Sequence, residues 1–135
     1  MKHEAPKLVF IVDDDPVFTA ALSTFLSNQI PNVDIRTFPT GEACMHEMHL
    51  NPLVIILDYI LNSEFPYAWN GMQVLKKIEH SYPSTNIVII SAQENVEVAL
   101  DFIRQGAFEY VMKNAKALPT IKDILMDVID DESTY

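Results

Sequence analysis

LVFIVDDDP, residues 8–16, is the stretch on which the fold turns. Five apolar residues follow one another with no polar alternation, which suits a strand covered on both faces, as in a parallel sheet sheathed by helices. Three aspartates and a proline come next. Asp15 can cap a helix and Pro16 is tolerated in its first turn, so the stretch reads as one β–α unit.

The same unit recurs along the chain. Residues 53–57 and 87–90 are again continuously apolar, whereas residues 33–38 and 109–112 are mixed, as suits edge strands. Helical spacing appears between them. Phe18, Leu22 and Phe25, with Ala21 beside them, form one stripe. Val74, Leu75 and Ile78 mark a second, Val96, Ala99, Leu100 and Ile103 a third, and Ile121, Ile124, Leu125 and Val128 a fourth. Residues 40–48 make a short additional helix, Asn70 can cap the helix after Gly71, and Gly106 suits a helix C-terminus. β–α repeated five times predicts an α/β fold with a doubly wound parallel sheet and five helices, because right-handed crossovers place helices on both faces. Such sheets bind ligands at the carboxyl ends of their strands.

Composition bounds what those ends can do. The 135 residues suit a single domain over residues 1–135, with its core at about 8–129. The net charge of −10 opposes nucleic acid and anionic membrane, so no direct nucleic-acid contact and no membrane association are expected of this domain. The single cysteine, Cys44, cannot form an internal disulfide, and no apolar run has signal-peptide or membrane length. The expectation is a cytoplasmic protein.

Four strand ends carry polar residues: Asp13, Asp14 and Asp15 after the first, Asp58 at the third, Ser91 at the fourth and Lys113 at the fifth. Asp15 is accounted for as a cap. The carboxylates of Asp13, Asp14 and Asp58 at one rim would repel one another unless a cation intervened. Mg²⁺ suits a site with few carboxylates and several retained waters. With a lysine and a hydroxyl added, the set suits an incoming phosphoryl group, and one carboxylate can attack phosphorus to give an acyl phosphate.

The motifs LVFIVDDDP, LVIILD (53–58), IVIISA (87–92) and GAFEYVMK (106–113), in this order, resemble the receiver domains of two-component response regulators. The resemblance covers about residues 8–129. It implies a flavodoxin-like sheet of order 2-1-3-4-5. It also implies a role for each matching residue: Asp58 as phosphoacceptor; Asp14 as a direct Mg²⁺ ligand and Asp13 as one acting largely through water; and the Ile60 backbone carbonyl as a third protein ligand. Ser91 matches the switch hydroxyl, Ala92 the small residue whose amide can donate, Tyr110 the aromatic that changes rotamer, and Lys113 the phosphoryl-binding lysine. The expected partners are a sensor histidine kinase or phosphotransfer protein as donor, and a second copy of the chain through the helix 4–strand 5–helix 5 surface. Such a domain is not an enzyme in the ordinary sense, since it catalyses only its own phosphorylation and dephosphorylation.

Two positions depart from the family pattern. Asn62 stands where a proline is expected, and residues 62–70, NSEFPYAWN, lengthen the connection before Gly71. Its Phe65, Tyr67 and Trp69 admit two readings, a lid or partner contact and local packing. Asn114 follows Lys113 where the family usually has proline; a non-proline cis bond costs about 2.5–4 kcal/mol, so the placement of Lys113 does not follow from its identity. Ile60, two residues after Asp58, can shade an acyl phosphate from water, which predicts slow dephosphorylation.

His46 and His49 have ligand spacing but no third partner, and Cys44 has no evident base, so all three read as packing or surface. The rival function is a non-phosphorylated interaction module of the same fold. A phosphatase with an aspartyl intermediate would want a second Asp where Ile60 stands. A flavodoxin-type cofactor protein would want an uncharged phosphate cradle where Asp13, Asp14 and Asp15 stand.

Overall fold

The computed structural model describes residues 5–61, 69–92 and 95–133. Strands β1 (Lys7–Val12), β2 (Val33–Phe38), β3 (Val54–Asp58), β4 (Asn86–Ser91) and β5 (Glu109–Met112) alternate with helices α1 (Pro16–Gln29), α2 (Gly41–His46), α3 (Gly71–Ser81), α4 (Val96–Arg104) and α5 (Ala117–Ser133). The sheet is parallel throughout with order β2-β1-β3-β4-β5. The two strands of mixed composition are therefore the two edges.

The unbroken apolar runs follow from burial on both sides of the pleat. Successive side chains of a strand point to opposite faces. Val9 and Ile11 of β1, Val54 and Ile56 of β3, and Val88 and Ile90 of β4 enter one cluster with Leu22 and Leu26 of α1 and Ile121 and Leu125 of α5. Phe10 and Val12, Ile55 and Leu57, and Ile87 and Ile89 enter the other, with Cys44, Val74, Leu75, Ile78 and Phe102 from α2, α3 and α4. Burying side chains of this size contributes roughly 1.5–3 kcal/mol each.

The expected caps are present. Asp15 accepts hydrogen bonds from the amides of Val17 and Phe18 ahead of Pro16. Asn70 and Gln73 form a reciprocal capping box at the start of α3. Gly106 follows α4 with φ of 112°, in the left-handed region that favours glycine. At Gly71 the constraint is space. A Cβ there would lie 2.6 Å from the Asp58 carbonyl oxygen and 2.7 Å from that of Tyr59, so α3 starts directly against the end of β3.

The stripe of Val96, Ala99, Leu100 and Ile103 does lie on a helix, but it is turned largely to solvent: Ala99 is half-buried, and the other three are 70%, 46% and 42% exposed. Val98 and Phe102 pack inward instead. The helix carries two apolar stripes, and spacing alone does not choose between them. Among the described residues no helix is long and apolar enough to cross a membrane.

Candidate functional site

β1 and β3 are adjacent, so their carboxyl ends bring Asp13, Asp14 and Asp58 together at one rim. One carboxylate oxygen from each lies within 4.8 Å of the others, and this is the one such cluster of metal-binding residue types among the described residues. Asp13 and Asp58 are buried and Asp14 is half-buried. Local backbone turns hold them in place. Asp13 Oδ1 accepts the Asp15 amide at 2.9 Å, and Asp58 Oδ1 accepts the Ile60 amide at 3.3 Å.

Lys113 reaches this group from β5, across the end of β4. Its Nζ lies 2.7 Å from Asp13 Oδ2 and 3.2 Å from Asp58 Oδ2. The Lys113–Asn114 peptide is trans, so the proline missing at position 114 does not keep the lysine out. Asn114 stabilises the turn instead, its side chain accepting the Lys116 amide at 2.9 Å and its carbonyl the Ala117 amide at 3.0 Å. The Lys113 amide donates to the Ser91 carbonyl at 2.7 Å, tying the ends of β4 and β5.

Three carboxylates and one ammonium leave the cluster negative. Burial, and then the nearby Asp13 charge, push the Asp58 carboxyl up to about 7, against the opposing pull of Lys113. Burial works to lower the Lys113 ammonium, but the short Asp13 contact and the Asp58 and Asp13 charges outweigh it and hold it above its usual value. Asp13 Oδ2 is buried and, although ion-paired with Lys113, has no well-aligned hydrogen bond. It keeps lone-pair capacity for a cation. A surplus of hard, negative oxygen donors at an accessible rim fits a divalent metal such as Mg²⁺.

The opening to this cluster is a cavity of about 220 Å³ lined by Asp14, Asp15, Asp58, Ile60, Ala92 and Lys113. Two larger grooves flank it. One, of about 420 Å³, runs between α1 and the end of β2, is lined by Asp13 and shares Asp14 with the opening; the other, of about 440 Å³, lies between the starts of α3 and α4 and shares Ile60. The charge and donor set, not volume, distinguish the central opening.

Ser91 is buried at the end of β4, at the same strand parity as Ile87 and Ile89, which face α2–α4. Asp13, Asp58 and Lys113 continue the opposite parity, that of the α1–α5 side. Tyr110 is half-buried on β5, its ring 6.1 Å from that of Phe102, which in turn meets Tyr59 edge-on at 5.4 Å. An aromatic row thus leads from the residue after Asp58 to the α4–β5 face. The sequence did not mark Phe18 beyond its place in a core stripe. Its ring centroid lies 4.6 Å from Lys113 Nζ.

The remaining candidates among the described residues lie outside this cluster. Trp69 donates its backbone N–H to Glu42 at 2.8 Å and its ring carries Lys77 Nζ at 4.3 Å, so it packs locally between α2 and α3. Asn62, Phe65 and Tyr67 lie outside the described residues. Burial pushes the Cys44 thiol up to about 12, which makes it a poor nucleophile. His46 is exposed, and the His49 ring nitrogen lies 3.0 Å from the His46 carbonyl oxygen.

Residues 9–125 match the sequence profile of the family described as the response regulator receiver domain. Among curated proteins, the chain is 31% identical over 108 residues to the oxygen regulatory protein NreC of Staphylococcus haemolyticus, covering 79% of this chain and 48% of NreC. It is 26% identical over 124 residues to the nitrogen assimilation regulatory protein NtrX of Azorhizobium caulinodans, covering 90% of this chain and 26% of NtrX. The chain thus spans half or less of the length of these relatives. The signal receiver domain of a Luxo repressor protein from Vibrio parahaemolyticus superposes with a TM-score of 0.79 at 21% identity, over 96% of this chain and 95% of that one. A CheY-like receiver domain protein from Methanospirillum hungatei gives 0.77 at 18%, over 97% and 100%. Strand order, acidic rim and profile match together place this chain in the response regulator receiver domain family of two-component systems.

Proposed function

We propose that Asp58 is the phosphoacceptor of a two-component phosphorelay and that residues 1–135 act as one receiver domain. The observation that carries this reading is the cluster of buried Asp13 and Asp58 with half-buried Asp14, and Lys113 as its cationic partner. The donor is a phosphohistidine on a sensor histidine kinase or phosphotransfer protein. An Asp58 carboxylate oxygen attacks phosphorus, the P–N bond breaks, and the imidazole leaves with its electron pair and takes up a proton. The product is an acyl phosphate.

Asp13, Asp14, Asp58 and the Ile60 carbonyl would hold Mg²⁺, which supplies charge neutralisation at the phosphoryl oxygens. Lys113 binds a phosphoryl oxygen, and the Ala92 amide donates to another. Ser91, on the β4 end that Lys113 grips, turns toward the new charge of about −1.5 to −2, if the value for phosphorylated hydroxyls carries over. The Tyr59–Phe102–Tyr110 row links that change to α4 and β5. The exposed Val96, Leu100 and Ile103 give the helix 4–strand 5–helix 5 surface an apolar patch for a second copy or a target protein.

Intact mass after incubation with acetyl phosphate tests the chemistry. One phosphoryl adduct is expected, dependent on Mg²⁺ and lost in Asp58→Asn. Absence of any adduct, also with a phosphorylated histidine protein as donor, would favour the non-phosphorylated interaction module.

A further inference from the structure

Lys113 is attached to β5, and the strands that carry its two carboxylate partners lie beyond β4. At about 4.8 Å per strand, roughly 10 Å separates β5 from β3, a gap that the extended Lys113 side chain closes together with the Asp58 carboxylate that reaches to meet it. Lysine is a flexible four-carbon stem bearing a point charge, so attraction to the acidic rim does not select one position for its nitrogen. A third contact does. The ammonium lies over the ring of Phe18, 4.6 Å from its centroid, within the range of a cation–π interaction.

We propose that Phe18 is a positioning residue that holds the Lys113 ammonium at the phosphoryl-binding position. This rests on the reading of Asp58 as phosphoacceptor. Phe18 is itself well anchored. Its amide donates to the capping Asp15 at 3.3 Å, in the first turn of α1, and its side chain packs against the α1–α5 core cluster. Asp13, Asp58 and Lys113 share the strand parity of that cluster, which is why a helix-α1 ring meets a lysine from β5. The ring also differs in kind from the two carboxylates. Metal binding and phosphorylation change the charge or the partners of Asp13 and Asp58. An aryl face supplies no lone pair to the metal and takes no phosphoryl group. It therefore remains a partner for the ammonium before and after transfer, and preorganises it for the reaction.

The test compares Phe18→Leu, which keeps apolar bulk and loses the aromatic face, with Phe18→Tyr, which keeps both. The rate constant for Asp58 phosphorylation by acetyl phosphate is measured across a Mg²⁺ series in the 135-residue chain. Phe18→Leu should slow the saturated rate by about three- to tenfold, with the half-saturating Mg²⁺ concentration unchanged. Phe18→Tyr should stay near the parent rate. Thermal shifts of Phe18→Leu and Lys113→Met should also be non-additive in the double variant, as for residues in direct contact. A parent-like rate for Phe18→Leu, or equal slowing in Phe18→Tyr, would overturn the role of the ring while leaving the phosphoacceptor intact. A parent chain that takes no phosphoryl group from any donor would remove both.

Discussion

The rim at the ends of β1 and β3 and the outer stripe of α4 invert the ordinary distribution of residues in opposite ways. Asp13 and Asp58 are charged residues only 4% and 6% exposed, whereas Val96 is an apolar residue 70% exposed. Burying like charges costs stability unless a cation compensates, and leaving apolar surface in water forgoes burial energy. Neither region is where a fold selected for stability alone would place these residues. The two apolar clusters between them offset the cost, and each inversion marks a place where something from outside is expected to bind.

The largest effect should come from the material that joins the two regions. Phe102 is fully buried, and its ring lies between those of Tyr59 and Tyr110. Phe102→Ala should destabilise the domain by about 3–5 kcal/mol in urea unfolding. A loss under 1 kcal/mol would mean that α4 is not integral to the core.

The acidic rim should show itself in the pH dependence of stability without metal. The folded Asp58 carboxyl lies near 7, above its unfolded value of 3.8, so the folded state holds the extra proton between those values. Stability from this group is therefore greatest below pH 4 and is lost as pH rises through about 7. Urea midpoints at several pH values should decline across that window, Asp58→Asn should flatten the decline, and Mg²⁺ should raise the midpoint more at pH 8 than at pH 5. A midpoint that climbs over the same window, unaltered in Asp58→Asn, would show that the rim is not strained by its own charge.

A more local change concerns water access. Ile60 lines the opening beside Asp58. Ile60→Asn should shed the phosphoryl group several-fold faster than the parent, followed by loss of adduct mass after removal of the donor; equal lifetimes would refute the shading role. The smallest effect belongs to α4. Val96→Ser should alter monomer stability by no more than about 0.5 kcal/mol, while weakening any phosphorylation-dependent self-association seen by light scattering. A large stability loss would mean that Val96 packs against this chain.

Legibility from sequence followed how many surfaces constrain each residue. The central strands were readable because burial on both faces leaves no room for a polar residue, and the mixed runs of β2 and β5 identified the edges. The strand order came from family resemblance, since five β–α units admit more than one winding. Asp13, Asp14 and Asp58 were readable as a group because each ends or follows an apolar run at the same rim. The covered face of α4 was not legible, because a helix with two apolar stripes does not declare which one is packed. Phe18 was invisible as a partner of Lys113 because 95 positions of sequence, in which four strands lie, separate a ring and an ammonium that lie 4.6 Å apart.

The close approach of Gly71 to the end of β3 has a consequence for tolerance to insertion. The chain leaves the sheet at Tyr59 and is back against it at Gly71, whose amide donates to the Tyr59 carbonyl at 3.3 Å. The two ends of this connection are thus tied together, with Trp69 pinned to Glu42 and Lys77 on the returning side. Lengthening a connection whose ends are already tied costs only about 0.6 kcal/mol per doubling. Extra residues inserted between Leu61 and Trp69 should therefore leave the neck at Tyr59 and Gly71 intact.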